Sequence, residues 1–246
     1  MEIATHVDAL EAHGQRLADA AEKAGLDAPV PTCPRWRVRD LLGHTGGVHR
    51  WAAGNVSRGR MTDEDTRAGF VSPDDAELLA WFRDGHRHLV ETLRSADPAT
   101  TAYTFLPAPS ALAFWARRQA HETAIHRVDA ESASGYLTPF DTAFAVDGLA
   151  ELIEAFMGRR GGALFADPPV SLAVQATDAD AAWTVRIHAD HRVIEQGAGA
   201  ADTTVRGTAS DLYVLLWNRT GPERVRVEGD PGVLAIWRER ARIRWG

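Results

Sequence analysis

The sequence predicts an α+β protein, with a helical bundle over residues 1–162 and a small α+β domain over 165–246. Three observations predict it. Apolar residues recur at helical spacing through the first 160 or so residues. Gly158, Gly161, Gly162, Pro168 and Pro169 then interrupt the chain and read as a linker. Beyond them the apolar period shortens to about two, as strands require. No internal repeat appears, and 246 residues with 45% apolar content suffice to bury a sizeable core.

Taken in order, the first helix runs from about Thr5 to Gly25 and buries Val7, Leu10, Leu17, Ala20 and Ala21. Pro29, Pro31 and Pro34 break it. A second starts near Val38, with Leu41, Leu42, Val48 and Trp51 on its inner side. A third spans Pro73 to Ser95, with Ser72 as N-cap and the proline at the first helical position. A fourth spans Ser110 to Glu131, and an additional fifth spans Pro139 to Arg159. Helices of this length joined by modest loops predict an antiparallel bundle. Val170–Thr177, Trp183–His188 and Val193–Gln196 read as strands, with Ala189-Asp190 as a hairpin turn. Asp211–Trp217 reads as a helix, Val225–Val227 as a strand and Gly232–Arg240 as the last helix.

Composition narrows the function. A formal charge of −7 argues against a nucleic-acid partner. No apolar run is long enough to span a membrane, and Met1–Leu10 has no basic patch ahead of an apolar core, so a cytoplasmic location is expected. One cysteine, Cys33, rules out a disulfide scaffold and reads as a buried structural thiol. Ten histidines are the more promising chemistry.

Most of them have simple explanations. His6 and His13 share an inward stripe with Leu10 and Leu17, with no carboxylate beside them. His86 and His88, two apart, point to opposite sides of one helix. His188 and His191 flank the hairpin turn as a surface pair. His121-Glu122-Thr123-Ala124-Ile125-His126 resembles the zinc-protease motif but is one residue too long. Its histidines lie about 140° apart around the helix, so that reading fails.

Glu122 and His126, at i and i+4, do share a face, together with Trp115, Gln119 and Asp129. Alanines (Ala113, Ala116, Ala120, Ala124) fill much of the remaining circumference. His44 lies on the Leu41, Val48, Trp51 stripe and should point into the bundle. Taken singly, the Glu/His pair reads more simply as a solvated face and His44 as a core histidine. Taken together, they make three ligands from two helices, which is how a bundle builds a metal site. Two histidines and a carboxylate leave a fourth tetrahedral position open, the pattern of catalytic zinc. His49 points elsewhere, as a support to the ligands or a surface group. No nucleophile elbow or Walker loop is present, and Gly43-His44-Thr45-Gly46-Gly47 lies inside a helical pattern.

The segment Cys33-Pro34-Arg35-Trp36-Arg37-Val38-Arg39-Asp40-Leu41-Leu42-Gly43-His44 resembles the N-terminal signature of the mycothiol-dependent maleylpyruvate isomerase family. Phe114-Trp115-Ala116-Arg117-Arg118-Gln119-Ala120-His121-Glu122-Thr123-Ala124-Ile125-His126-Arg127 resembles its second signature. Val205–Leu212 and Leu215-Leu216-Trp217-Asn218-Arg219 resemble its small second domain. The resemblance implies a DinB-like four-helix bundle followed by an α+β domain. It also implies His44, Glu122 and His126 as ligands of Zn2+ or another divalent metal. Mycothiol would be the thiol cosubstrate, with a small electrophilic molecule, suitably a carboxylate, as substrate. Arg219 is the candidate catalytic residue, since a guanidinium binds carboxylate bidentately; read alone it is a cation at a helix C-terminus. The expected reaction is cis-trans isomerisation of a maleylpyruvate-like dicarboxylate. Alternatives are a mycothiol S-transferase and a non-catalytic metal-binding protein.

Overall fold

The computed structural model describes residues 1–159 and 161–243. By its contacts the chain divides into two units, Met1–Thr138 and Pro139–Gly246. The first holds α1 (Ile3–Ala24), α2 (Val38–Arg58), α3 (Asp63–Gly69), α4 (Asp75–Ser95) and α5 (Ala111–Ser132). α1 packs on α5 and α4, and α2 packs on α4 and α5, so these four close a bundle.

Local chemistry sets the ends. α1 stops at Gly25, whose φ of 82° suits a residue without Cβ. Ser110 caps α5, its hydroxyl accepting from the Ala113 amide. α4 begins two residues later than Pro73, behind Asp74, and Ser72 instead faces Gly43 of α2. The short α3 was not expected; Thr62 caps it by accepting from the Asp65 amide, and it buries no residue. Trp115 is fully buried, stands edge-on to Trp51 at 5.0 Å, and donates through Nε1 to the Tyr103 carbonyl. The incoming loop is thereby pinned to the bundle.

The second unit begins with α6 (Thr142–Ala150), which continues as a π-helical turn over Glu151–Phe156. The expected boundary at 162–165 followed the glycine- and proline-rich break; the contacts place the division near 138–139 instead. The reason is aromatic packing within the second unit: Phe140 and Phe144 lie 5.1 and 6.4 Å from Tyr213. Glu154 accepts from Trp183 Nε1 and Gln196 Nε2, which ties the helix to the sheet.

That sheet has the order β3-β2-β1-β4-β5, with β1 (Val170–Ala176), β2 (Ala182–Ile187), β3 (Arg192–Gln196), β4 (Thr203–Gly207) and β5 (Arg226–Gly229). β1–β2, β2–β3 and β4–β5 pair antiparallel, and β1–β4 pair parallel. In register, Val174 lies between Trp183 and Val205, so the buried side chains line up across strands. Between β4 and β5 comes α7 (Ala209–Leu216), and α8 (Pro231–Arg240) follows β5. β4 was not foreseen. Its sequence, Thr203-Thr204-Val205-Arg206-Gly207, offers one large apolar residue, and it buries Thr203 beside Val205.

Candidate metal centre

α2 and α5 bring His44, Glu122 and His126 together. One nitrogen from each histidine and one carboxylate oxygen all lie within 4.8 Å of one another. Glu122 Oε1 is 3.2 Å from His126 Nε2 and 3.8 Å from His44 Nε2. Ligands around a tetrahedral zinc with bonds of about 2.1 Å stand about 3.4 Å apart. The donor set, two imidazoles and a carboxylate, is the kind zinc takes. Among the described residues this cluster holds three such side chains and not a fourth.

The partners of these groups favour the same use. His126 Nδ1 donates to Asp129 Oδ2 at 2.8 Å, which turns Nε2 toward Glu122 and His44. Asp129 is fully buried and its other oxygen accepts from the Thr32 hydroxyl at 2.6 Å. On the far side of Glu122, Arg118 Nη2 donates to Oε2 at 3.2 Å. Arg118 has no exposed surface.

Charge follows from this wiring. Burial pushes the Glu122 carboxyl up, but bonds from His126 and His44 and the charges of His126 and Arg118 outweigh it, so its pKa lies well below the usual range. Burial pulls His126 down, yet Asp129 and Glu122 together lift it to about 9. In the metal-free protein the imidazolium therefore sits between two carboxylates. The hollow favours positive charge, and a divalent cation can replace the proton.

Two aromatic rings border His44: Trp36 at 4.9 Å and Phe70 at 6.3 Å between ring centroids. Trp36 is held by a folded loop in which its carbonyl accepts from the Val30 amide. Phe70 and Trp81 reach α2 because Gly47 and Gly46 lack a Cβ; one built there would lie 2.5 and 2.2 Å from those rings. A cavity of about 410 Å³ opens beside His44, with Trp36, Arg39, Asp40, Phe70, Ser72 and Asp75 among its walls. His44 is the most exposed of the three, at 23% of its side chain.

The other histidines sort as follows. His49 is fully buried, not on the surface; its Nε2 bonds the hydroxyl of Thr123, the residue after Glu122, at 2.8 Å. His86 is buried and bonds the Leu10 carbonyl, while His88 is exposed. His6 is buried and His13 half-buried. His188 and His191 stack 4.3 Å apart at the β2–β3 turn. Cys33 is half-buried and packs against the bundle core. Arg219 belongs to the second unit, half-buried just past α7, where Nη1 donates to the Trp217 carbonyl at 2.8 Å. Asn218, at φ 61°, ends that helix.

Sequence reasoning placed Asp129 on the ligand stripe without giving it a task; the signal was its i+3 position after His126. It passed over Arg118, whose signal was the i−4 position before Glu122. Trp36 carried none, because its approach to His44 depends on a loop.

Comparison with known proteins agrees with the architecture. Residues 7–131 match the family described as the mycothiol maleylpyruvate isomerase N-terminal domain, and residues 143–235 match the C-terminal domain of the same family. Two crystal structures are similar in fold: that of the mycothiol-dependent maleylpyruvate isomerase and that of a histidine-to-alanine mutant of it. Their TM-scores are 0.62 and 0.63, at 13% identity over 92% of this chain and 93% of each of theirs. No curated protein sequence matches. Among the described residues no helix is long and apolar enough to cross a membrane.

Proposed function

The chain belongs to the mycothiol maleylpyruvate isomerase family of enzymes, and we propose that it is a zinc-dependent member acting in the cytoplasm, with mycothiol as thiol cosubstrate. Its proposed reaction is cis-trans isomerisation of a maleylpyruvate-like dicarboxylate. The observation that carries this reading is the His44, Glu122, His126 cluster, with Nε2 of both histidines turned to one carboxylate oxygen. A divalent ion bound there supplies a Lewis acid that lowers the proton affinity of a thiol toward neutral pH.

The chain's own residues do the rest. Asp129 holds the proton of His126 Nδ1 and so presents Nε2 as a donor atom. Glu122 lends negative charge through Oε1. Trp36 and Phe70 flank His44 and limit water at its open side. Arg219 is proposed to bind a substrate carboxylate, for which its planar fork is suited.

Isomerisation by a thiol balances without a redox partner. The thiolate adds to one carbon of the cis double bond and a proton reaches the other side of the conjugated system. The resulting single bond rotates. Loss of that proton and of the same thiolate restores the double bond as trans. Zinc-loaded protein is assayed with mycothiol against maleylpyruvate and a panel of electrophiles. Trans product with the thiol regenerated supports the reading. Accumulation of a stable thioether with other electrophiles, and no isomerisation, replaces it with an S-transferase.

A further inference from the structure

We propose that Arg118 is a positioning residue that keeps the metal centre open to one thiolate. The inference rests on the metal reading above and deepens it. Carboxylates bind a cation through one oxygen or through both. Here Oε1 of Glu122 faces the two histidines, while Arg118 Nη2 takes Oε2 at 3.2 Å. A carboxylate whose second oxygen is held by a guanidinium binds through one oxygen only. The ion then has three protein donors and a free fourth position. Without Arg118, Oε2 can swing to the ion as a further protein donor beside that position, which raises the coordination number to five and crowds the thiolate.

Burial argues that this contact has a purpose beyond packing. Arg118 is fully buried within α5, where a guanidinium loses hydration that pairing only partly returns. An apolar residue at that position would serve the bundle core more simply. Charge gives an independent reason. Arg118 places a positive charge beside Glu122, which favours the arrival of a thiolate at the ion. With Arg118 removed, the thiolate meets a centre with one positive charge fewer and binds less readily.

The test loads cobalt(II) into the wild type, Arg118→Met and Arg118→Lys, after circular dichroism has established that each is folded. Three quantities are read: cobalt stoichiometry, the d–d absorption that separates four- from five-coordinate cobalt, and the Kd for mycothiol from its thiolate-to-cobalt band. Arg118→Met is expected to keep full cobalt, to shift toward the weaker five-coordinate absorption, and to bind mycothiol at least tenfold more weakly. Arg118→Lys, which restores the cation, should recover part of both. A merely structural role would lower the Tm and leave the spectrum and the thiol Kd at wild-type values; that result overturns the proposal. Should Arg118→Met fail to fold, Arg118→Lys decides by the same two readouts, with an intermediate shift expected and wild-type values overturning it. A wild type that takes up no cobalt overturns the metal reading itself, and this proposal with it.

Discussion

His126 Nδ1 and Asp129 Oδ2 lie 2.8 Å apart in a fully buried contact along one face of α5. The pair fixes which nitrogen of His126 is free and how its ring is turned. Partners of this kind are commonly worth ten- to a hundredfold in metal affinity. Asp129→Asn keeps the size but reverses the hydrogen-bonding choice of the imidazole. Its zinc Kd is expected to rise by roughly that factor, with the far-UV spectrum unchanged. A Kd equal to the wild type's would show that Asp129 only packs.

The same contact makes metal uptake a proton exchange. Asp129 and Glu122 raise His126 to about 9 in the metal-free protein, so at pH 7 it carries a proton that a metal must displace. Zinc affinity therefore rises with pH up to about 9 and then levels. Calorimetric titration in two buffers of different ionisation enthalpy should report a proton from His126 released per zinc at pH 7. Release of none at that pH would contradict the arrangement.

His44→Ala and His126→Ala each remove one of three donors. With two donors left, zinc should fall to background in dialysed protein while helix content is retained. Elemental analysis beside circular dichroism checks both halves of that expectation. Full zinc in both variants would dismiss the three-ligand centre.

What could be read from the sequence followed from periodicity. His44 sits on a stripe with Leu41 and Val48, and Glu122 and His126 are one turn apart, so helix geometry alone placed all three. Trp36 was out of reach because its position over His44 depends on the loop bonded from Val30. Arg118 was overlooked for a different reason: a buried arginine reads as surface until its partner is seen. β4 escaped because threonine, not an apolar residue, fills its buried position at Thr203. The hairpin of β2 and β3 was legible, since alternation and a two-residue turn are local signals.

Arg219 belongs to the second unit and does not need to touch metal to serve a carboxylate. Arg219→Ala should lower isomerase turnover by tenfold or more, as expected when a charged donor to a substrate carboxylate is lost. Zinc content should stay at the wild-type level. Unchanged kcat and KM would return Arg219 to the role of a cation at the end of α7.

Acid should loosen the metal-free protein well above the carboxylate range. Burial is the first cause that lowers His13, His49 and His86; it takes His13 to about 3 and His49 well below its usual value. His13 and His49 stay neutral in the fold and gain a proton on unfolding below the ordinary value of about 6.5, and His86 is lowered in the same direction. The unfolded state thus binds more protons in that window, so stability present at higher pH is lost as pH falls. His13 and His49 each contribute about 1.4 kcal/mol of loss between pH 7.5 and 5.5, and His86 adds to it in the same sense. His126 acts in the opposite sense, because its raised pKa gives stability that is fully present below about 6.5 and is lost as pH rises toward 9. Against the gain from His126 these losses leave a net loss of at least about 1 kcal/mol on acidification. Urea unfolding of chelator-treated protein at the two pH values measures it. His86→Gln, which can still donate to the Leu10 carbonyl, should shrink the difference. Equal stability at both pH values would mean that these histidines are not held neutral in the fold.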